Sequence, residues 1–180
     1  MIRAAPSAAR SERRPRAERR DAEGDQIISV DAYRPPYIPW HLTTVEFFQT
    51  VYDHLTSDGV MVINVGRSPH DRRLVNALAS TILIVFPSVH IVDLPESFNS
   101  LIFASRKATQ STNLLANYAI LRSDPETPEL LLQAMTVAVN NLQPVEKSAQ
   151  IFTDDRANIE WITNALILDY MLFGEMESLQ

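Results

Sequence analysis

Carboxylates follow two extended segments of this 180-residue chain, and they are the side chains best placed to do chemistry. Asp31 comes directly after the apolar stretch Gln26–Val30, and Asp154 and Asp155 come directly after Ile151–Thr153. A carboxylate at the end of a strand can hold or deprotonate an amine, or accept hydrogen bonds from ribose hydroxyls. The simpler alternative is a capping role, for Asp31 at the next loop or helix and for the Asp pair at the helix predicted after it.

The loop that follows Asp31 favours a binding role for this end of the strand. Residues 34–41 hold three prolines, so the loop is predicted to be neither a helix nor a central strand. An apolar strand that ends in Asp and opens into such a loop is typical of the carboxyl edge of an α/β sheet, where ligands bind. The aromatic residues Tyr33, Tyr37 and Trp40 could line a small-molecule site there, or they could simply cover the sheet edge.

Hydrophobic spacing predicts the elements that position Asp31. A buried strand over Gln26–Val30, a helix over Leu42–Ser57 and a strand over Val60–Gly66 form a βαβ unit. The turn Ser57-Asp58-Gly59 is predicted to end the helix. The unbroken apolar run of the second strand is typical of a strand covered on both faces in a parallel sheet.

The rest of the chain continues the α/β pattern. Two strands separated by a short turn are predicted to pair antiparallel, and four more amphipathic segments are predicted to be helices. The predicted strands are Ser88–Leu94 and Ser100–Ser105, and the predicted helices are Asp71–Val85, Ser111–Arg122, Pro128–Leu142 and Ile159–Phe173.

Composition excludes several classes of function. The chain has no Cys, so disulfides and thiol chemistry are excluded, and its four His residues are too scattered for a metal site. No Gly-x-Gly turn occurs among its 4 glycines, although nucleotide sites normally need one. A formal net charge of -6 argues against a nucleic-acid partner, and no apolar run is long enough to span a bilayer. Since no secretory signal is evident either, we expect a cytoplasmic protein without a membrane partner.

The charge is unevenly distributed, because residues 1–24 hold 7 of the 16 basic residues and 4 of the 22 acidic ones. This leader is rich in Arg, Ala and Pro and nearly free of large apolar residues, so we expect it to be disordered. A basic arm for RNA or acidic lipid is the sharper alternative. The domain is therefore predicted over residues 25–180.

Two motifs, in the same order along the chain, resemble those of the spermidine synthase-like family of polyamine aminopropyltransferases. The first is Asp25-x-Ile27-Ile28-x-x-Asp31-Ala32-Tyr33, continued by Tyr37-Ile38-Pro39-x-His41-Leu42-Thr43-Thr44 and Asp58-Gly59-Val60-x-x-x-Asn64-Val65. The second is Phe152-Thr153-Asp154-Asp155-Arg156-Ala157. The resemblance covers about residues 25–173.

The resemblance implies an α/β fold, namely part of a Rossmann sheet of the class I S-adenosylmethionine-dependent methyltransferase type, with helices on both faces. The family-like strand order would be 4-5-7-6, with Gln26–Val30 as the fourth strand and the family's earlier strands missing. The implied activity is aminopropyl transfer from decarboxylated S-adenosylmethionine to an amine, without a metal; S-adenosylmethionine is the alternative donor.

The same resemblance implies roles for individual residues. Asp31 matches the catalytic Asp that takes a proton from the attacking amine, and Asp31 and Ala32 would also contact the donor. The implied substrate-binding residues are Tyr33, Tyr37, His41, Asp154 and Asp155.

Three departures from the family pattern shape the expected function. Arg34 stands where true synthases carry a second Asp that helps bind the diamine, so we expect an acceptor other than putrescine. Asn158 stands where the late motif usually has Pro. The Gly-rich donor turn has no counterpart, so we expect the C-terminal half of a longer protein that is inactive as this chain alone. The alternatives are a methyltransferase of the same fold and a non-catalytic, dimerising remnant; an open sheet edge is predicted to favour dimerisation or poor solubility.

Overall fold

Residues 24–31, 39–68 and 70–155 are described by the structure, a computed structural model. In this part of the chain five strands form one mixed sheet, together with four α-helices and a short 3-10 helix. The strands are β1 (Asp25–Val30), β2 (Leu55–Gly66), β3 (Ser88–Asp93), β4 (Asn99–Ser105) and β5 (Leu142–Gln143). The helices are the 3-10 helix Trp40–Leu42, α1 (Val45–His54), α2 (Arg73–Ile82), α3 (Ser111–Ser123) and α4 (Glu129–Asn140).

The strand order is β1-β2-β4-β3-β5. β1 pairs parallel with β2, β4 pairs antiparallel with both β2 and β3, and the two-residue β5 adds to the far side of β3. The order of the first four strands is the one that the family resemblance implies, so the predicted partial Rossmann-type α/β fold is confirmed. β2 and β3 run in the same direction, since each is antiparallel to β4, and their carboxyl ends therefore share one edge with that of β1.

The hydrophobic core lies between one face of this sheet and the helices α1 and α2. Alternate residues of a strand point to opposite faces, and Met61, Ile63 and Val65 of β2 are all fully buried on the core face. Phe48 of α1 and Leu78 of α2 are fully buried members of the same cluster. No residue of α3 or α4 is fully buried.

The predicted burial of β1 and of β2 is wrong. β1 was predicted as a buried strand, but it is an edge strand on which only Val30 is buried, while Ile27 is 71% exposed. β2 was predicted to be covered on both faces, yet Val60 and Val62 are only partly buried. Hydrophobicity does not say where in the sheet a strand lies, and each strand here has only one face against the core cluster.

The end of α1 also differs from the prediction. The helix stops at His54 rather than Ser57, because Leu55 is already extended and pairs with Asp25 at the start of β1. The register then shifts, so that Ile27 pairs with Val60 and the intervening residues of β2 bulge out. Gly59 lies in this bulge, where a Cβ would come within 2.9 Å of the Leu55 side chain. The glycine therefore permits a close approach in the bulge instead of ending a helix.

The segment after β5 ties the chain back onto both core helices. Phe152 is fully buried. Its N–H donates to Thr81 Oγ1 of α2 at 3.1 Å, and its carbonyl accepts from the N–H of Val45 at the start of α1 at 3.0 Å. The predicted extended segment from Ile151 pairs with no strand in the described part of the chain, and it ends in a turn at Asp154-Asp155. The predicted helix Ile159–Phe173 lies outside the described residues, as do residues 1–23 of the leader.

Candidate functional site

Asp31 lies where the sequence places it, directly after β1 at the carboxyl edge of the sheet. Its carboxylate is exposed, and Oδ1 accepts a hydrogen bond from Nδ2 of Asn64 at 3.1 Å. Val30 pairs with Ile63, and both side chains lie on the core face of the sheet. The residues that follow them, Asp31 and Asn64, therefore lie side by side on the opposite face. The parallel register of β1 and β2 thus brings a carboxylate and an amide together from positions 33 residues apart.

Asn64 is a site residue that the sequence analysis did not single out. It is the one amide in the apolar run Val60–Gly66, and that interruption, next to a strand ending in Asp, was the available signal. Its Oδ1 is buried and has no hydrogen-bond partner among the described residues. The Asp31 carboxylate is therefore the exposed acceptor of the pair for a donor such as an ammonium group, whereas Asn64 Oδ1 is enclosed by the protein.

Asp154 and Asp155 are exposed. They lie beside the start of α1, where the connection that leaves β1 at Asp31 ends. The Asp154 N–H donates to Glu46 Oε2 in the first turn of α1 at 3.1 Å, and this helix starts after the N-cap Thr44. The pairing of Phe152 with Val45 holds the two Asp residues there. Whether they cap the predicted helix that follows is a question outside the described residues.

Of the remaining predicted site residues, only His41 lies within the described part of the chain. His41 is exposed in the 3-10 helix, with its ring edge-on to Trp40 at 5.8 Å between centroids. Ala32, Tyr33 and Tyr37 lie outside the described residues. Their predicted binding roles therefore stay predictions.

A second carboxylate, Asp93 at the end of β3, lies at the same edge in a very different setting. Arg72 donates to both of its oxygens at 2.7 and 3.2 Å, and Ser100 donates to Oδ1 at 2.6 Å. Arg67 Nε lies 3.4 Å from Oδ1. Burial acts to raise the pKa of Asp93, but the hydrogen bonds from Arg72 and Ser100 and the two positive charges outweigh it and lower the pKa below its ordinary value. This cluster joins the β2–α2 loop to β3 and β4.

At the opposite end of β3 a histidine takes part in a hydroxyl network. His90 Nε2 lies 2.8 Å from Thr109 Oγ1, which in turn donates to Ser88 Oγ at 3.2 Å. Burial lowers the pKa of His90 below its ordinary value. Ser88 also accepts from the backbone of Thr109 and donates to the carbonyl of Lys107, so this network closes the loop after β4.

The described residues also bear on metal sites and membrane spans. Within residues 24–31, 39–68 and 70–155, no three His, Cys, Asp or Glu side chains come together as a metal site would require. No helix in that part of the chain has the length and apolar character needed to cross a membrane.

The sequence is similar to that of a probable polyamine aminopropyl transferase from Bifidobacterium longum. The two are 28% identical over 148 residues, covering 74% of this chain and 33% of the relative. The family resemblance drawn from the sequence is thereby confirmed. The chain spans about a third of the length of the curated relative that it matches. No protein-family model matches it.

Part of the chain aligns with two solved structures that are named as spermidine synthases. A probable spermidine synthase from Corynebacterium glutamicum aligns with a TM-score of 0.49 and 20% identity, over 76% of this chain and 51% of that one. Spermidine synthase from Thermotoga maritima aligns with a TM-score of 0.41 and 19% identity, over 84% and 47% of the two chains.

Proposed function

We propose that this chain takes part in aminopropyl transfer from decarboxylated S-adenosylmethionine to an amine, and that Asp31 holds and deprotonates the amine. The observation that carries the proposal is the exposed Asp31 carboxylate at the carboxyl end of β1, fixed by Asn64. A similar relative whose name states polyamine aminopropyl transfer supports the choice of reaction.

The chemistry fits a carboxylate base. An ammonium ion is not a nucleophile, so the acceptor must lose a proton, and the Asp31 carboxylate can take it. The amine nitrogen then attacks the propyl carbon bonded to the sulfonium, and the carbon–sulfur bond breaks with its electron pair going to sulfur. The sulfonium becomes the neutral thioether of methylthioadenosine, so no acid is needed to expel it.

The other predicted residues extend the proposal to both substrates. Tyr33, Tyr37, His41, Asp154 and Asp155 are proposed to contact the amine, and Asp31 with Ala32 to contact the donor. Arg34, in the same loop, would repel the second cationic group of a diamine, so we propose an acceptor other than putrescine.

Amine binding is the first measurement, because it depends on the residues at this edge and not on a complete reaction. The purified chain is titrated calorimetrically with monoamines, putrescine and methylthioadenosine. We expect saturable binding of an amine, with putrescine weaker than a monoamine of similar length. A folded chain that binds none of these compounds would overturn the proposal.

Product analysis then identifies the reaction, with either decarboxylated S-adenosylmethionine or S-adenosylmethionine as donor. Methylthioadenosine is the product of aminopropyl transfer, whereas S-adenosylhomocysteine would replace the proposal with methyl transfer. Amine binding without either product would agree with the expectation that this chain is inactive by itself and would confine its role to holding the acceptor.

A second candidate function is a non-catalytic chain that associates with another copy. The exposure of β1 favours it, because among the described residues no strand pairs with its outer side, and an edge strand with an exposed Ile27 can pair with another chain. Sedimentation analysis tests it directly: a dimer that dissociates when Ile27 is replaced by Lys, combined with absent amine binding, would support this candidate over transfer chemistry.

A further inference from the structure

The two partners of the Asp31–Asn64 hydrogen bond differ in how firmly the fold holds them. Asn64 lies inside β2, where it pairs with Leu101 of β4, and its neighbour Ile63 pairs on both sides with Val30 and Ile102. Asp31 instead follows the last paired residue of β1, at the point where the chain leaves the sheet. Asn64 is therefore the fixed partner, and Asp31 is the one that it orients.

The amide of Asn64 is held in one orientation. Nδ2 donates to Asp31 Oδ1, which leaves Asn64 Oδ1 buried and unpartnered among the described residues. A buried oxygen without a partner is unfavourable, yet the reversed amide would place that oxygen against the carboxylate and repel it. No hydrogen bond from a described residue reaches the other carboxylate oxygen, Oδ2, and the Asp31 residue is exposed.

We propose that Asn64 is a positioning residue that engages one oxygen of Asp31 and turns the other toward the acceptor amine. Asn64 thereby acts on the amine through Asp31. The inference rests on the proposed function, because the role of the aimed carboxylate is to hold the amine that reacts.

The chain contains a matched control. Asn76 of α2 also donates from Nδ2 to a carboxylate, Glu146 Oε2, at the same distance of 3.1 Å, and its Oδ1 is likewise buried without a partner among the described residues. Glu146 lies in the segment after β5 and has no part in the proposed site. Replacing Asn76 by Leu removes the same kind of hydrogen bond and measures its purely structural effect.

The experiment compares Asn64→Leu, Asn76→Leu and Asp31→Asn in the full chain, with the monoamine that binds wild type best. We expect Asn64→Leu to weaken amine binding about tenfold, the loss of one hydrogen bond to a charged group, and Asn76→Leu to leave binding unchanged. In the double variant with Asp31→Asn, the Asn64 change should have little further effect, because the carboxylate that it orients is gone. Additive losses in affinity would overturn the positioning role.

A spectroscopic measurement tests the same pair without any ligand. The side-chain amide of Asn64 gives a pair of nitrogen-correlated proton resonances, assigned by their loss in Asn64→Leu. We expect them to move in Asp31→Asn, whereas those of Asn76 stay in place. Unmoved Asn64 resonances would overturn the inference even if amines bind. Shifted resonances in a chain that binds no amine would instead confirm the pair and reject the proposed function.

Discussion

Asp31 directly follows β1 and Asp93 ends β3, so both lie at the same edge of the sheet with β2 and β4 between them, and the structure treats them in opposite ways. Asp93 is nearly enclosed, with 15% of its side chain exposed, and Arg72, Ser100 and Arg67 surround it. Asp31 is exposed, and among the described residues its carboxylate receives one hydrogen bond, from Asn64. A carboxylate that accepts hydrogen bonds at both oxygens and lies between two guanidinium groups joins parts of a fold, whereas an exposed carboxylate can still bind a ligand or accept a proton. Position at a strand end is therefore not enough to identify a functional carboxylate.

The largest expected effect is on stability, and it tests whether Asp93 holds parts of the fold together. Asp93→Asn leaves Arg67 and Arg72 largely buried without their counter-charge, and we expect it to lower the free energy of unfolding by about 3 kcal/mol. Urea denaturation measures the difference. Asp31→Asn is the control. Because Asp31 is exposed, we expect this variant to change the free energy of unfolding by no more than about 0.5 kcal/mol. Equal destabilisation by the two variants would remove the distinction.

The next effect concerns binding. Asp31→Asn removes the negative charge from the open carboxylate, and we expect amine affinity to fall at least about tenfold, as for the loss of a hydrogen bond between charged groups. Calorimetric titration measures it at a temperature where both Asp variants are folded. Asp93→Asn should retain wild-type affinity; if it loses affinity equally, the amine site lies toward β3 instead.

The pH dependence of stability sharpens the contrast. The pKa of Asp93 is lowered in the folded state, so its contribution is present above the ordinary value of about 3.8 and is lost as the pH falls through the lower folded value. The stability difference between wild type and Asp93→Asn should therefore shrink below about pH 3.8. Urea titrations at pH 6, 4 and 3 follow this difference. The hydrogen bond from Arg73 also lowers the pKa of Asp71. Since wild type and Asp93→Asn both contain this pair, its contribution cancels in the stability difference between them.

The smallest expected effect comes from His90, where burial acts without a charged partner. Burial lowers its pKa, so the folded chain resists protonation, and stability falls as the pH drops below the ordinary value of about 6.5. We expect this loss between pH 7.5 and 5.5 to be below about 1 kcal/mol, because the ring is partly solvated. Thermal melts of His90→Gln should show a smaller loss over that interval. An unchanged loss would assign it to other groups.

Local pattern was sufficient to predict much of this molecule. The alternation of apolar and turn residues predicted β3, β4 and the helices α2, α3 and α4 to within a few residues, because strand and helix periods are local properties. The motif around Asp31 predicted the strand order β1-β2-β4-β3, and the structure confirms it. The end of α1 was missed, since Leu55 leaves the helix to pair with Asp25, a partner thirty residues away in the chain.

Residue types and their order along the chain were enough to predict Asp31 as a candidate site residue and to place it after a strand. They were also enough to recognise the resemblance of the chain to a family. The tertiary structure decided which carboxylate is open and which is occupied. Asn64 reaches Asp31 only through the parallel register of β1 and β2, and Arg67, Arg72 and Ser100 reach Asp93 only because β2, β3 and β4 lie side by side. Apart from the Ser100–Asp93 contact across the β3–β4 hairpin, these contacts join residues far apart in sequence, so they depend on strand register and packing, which local residue patterns do not specify.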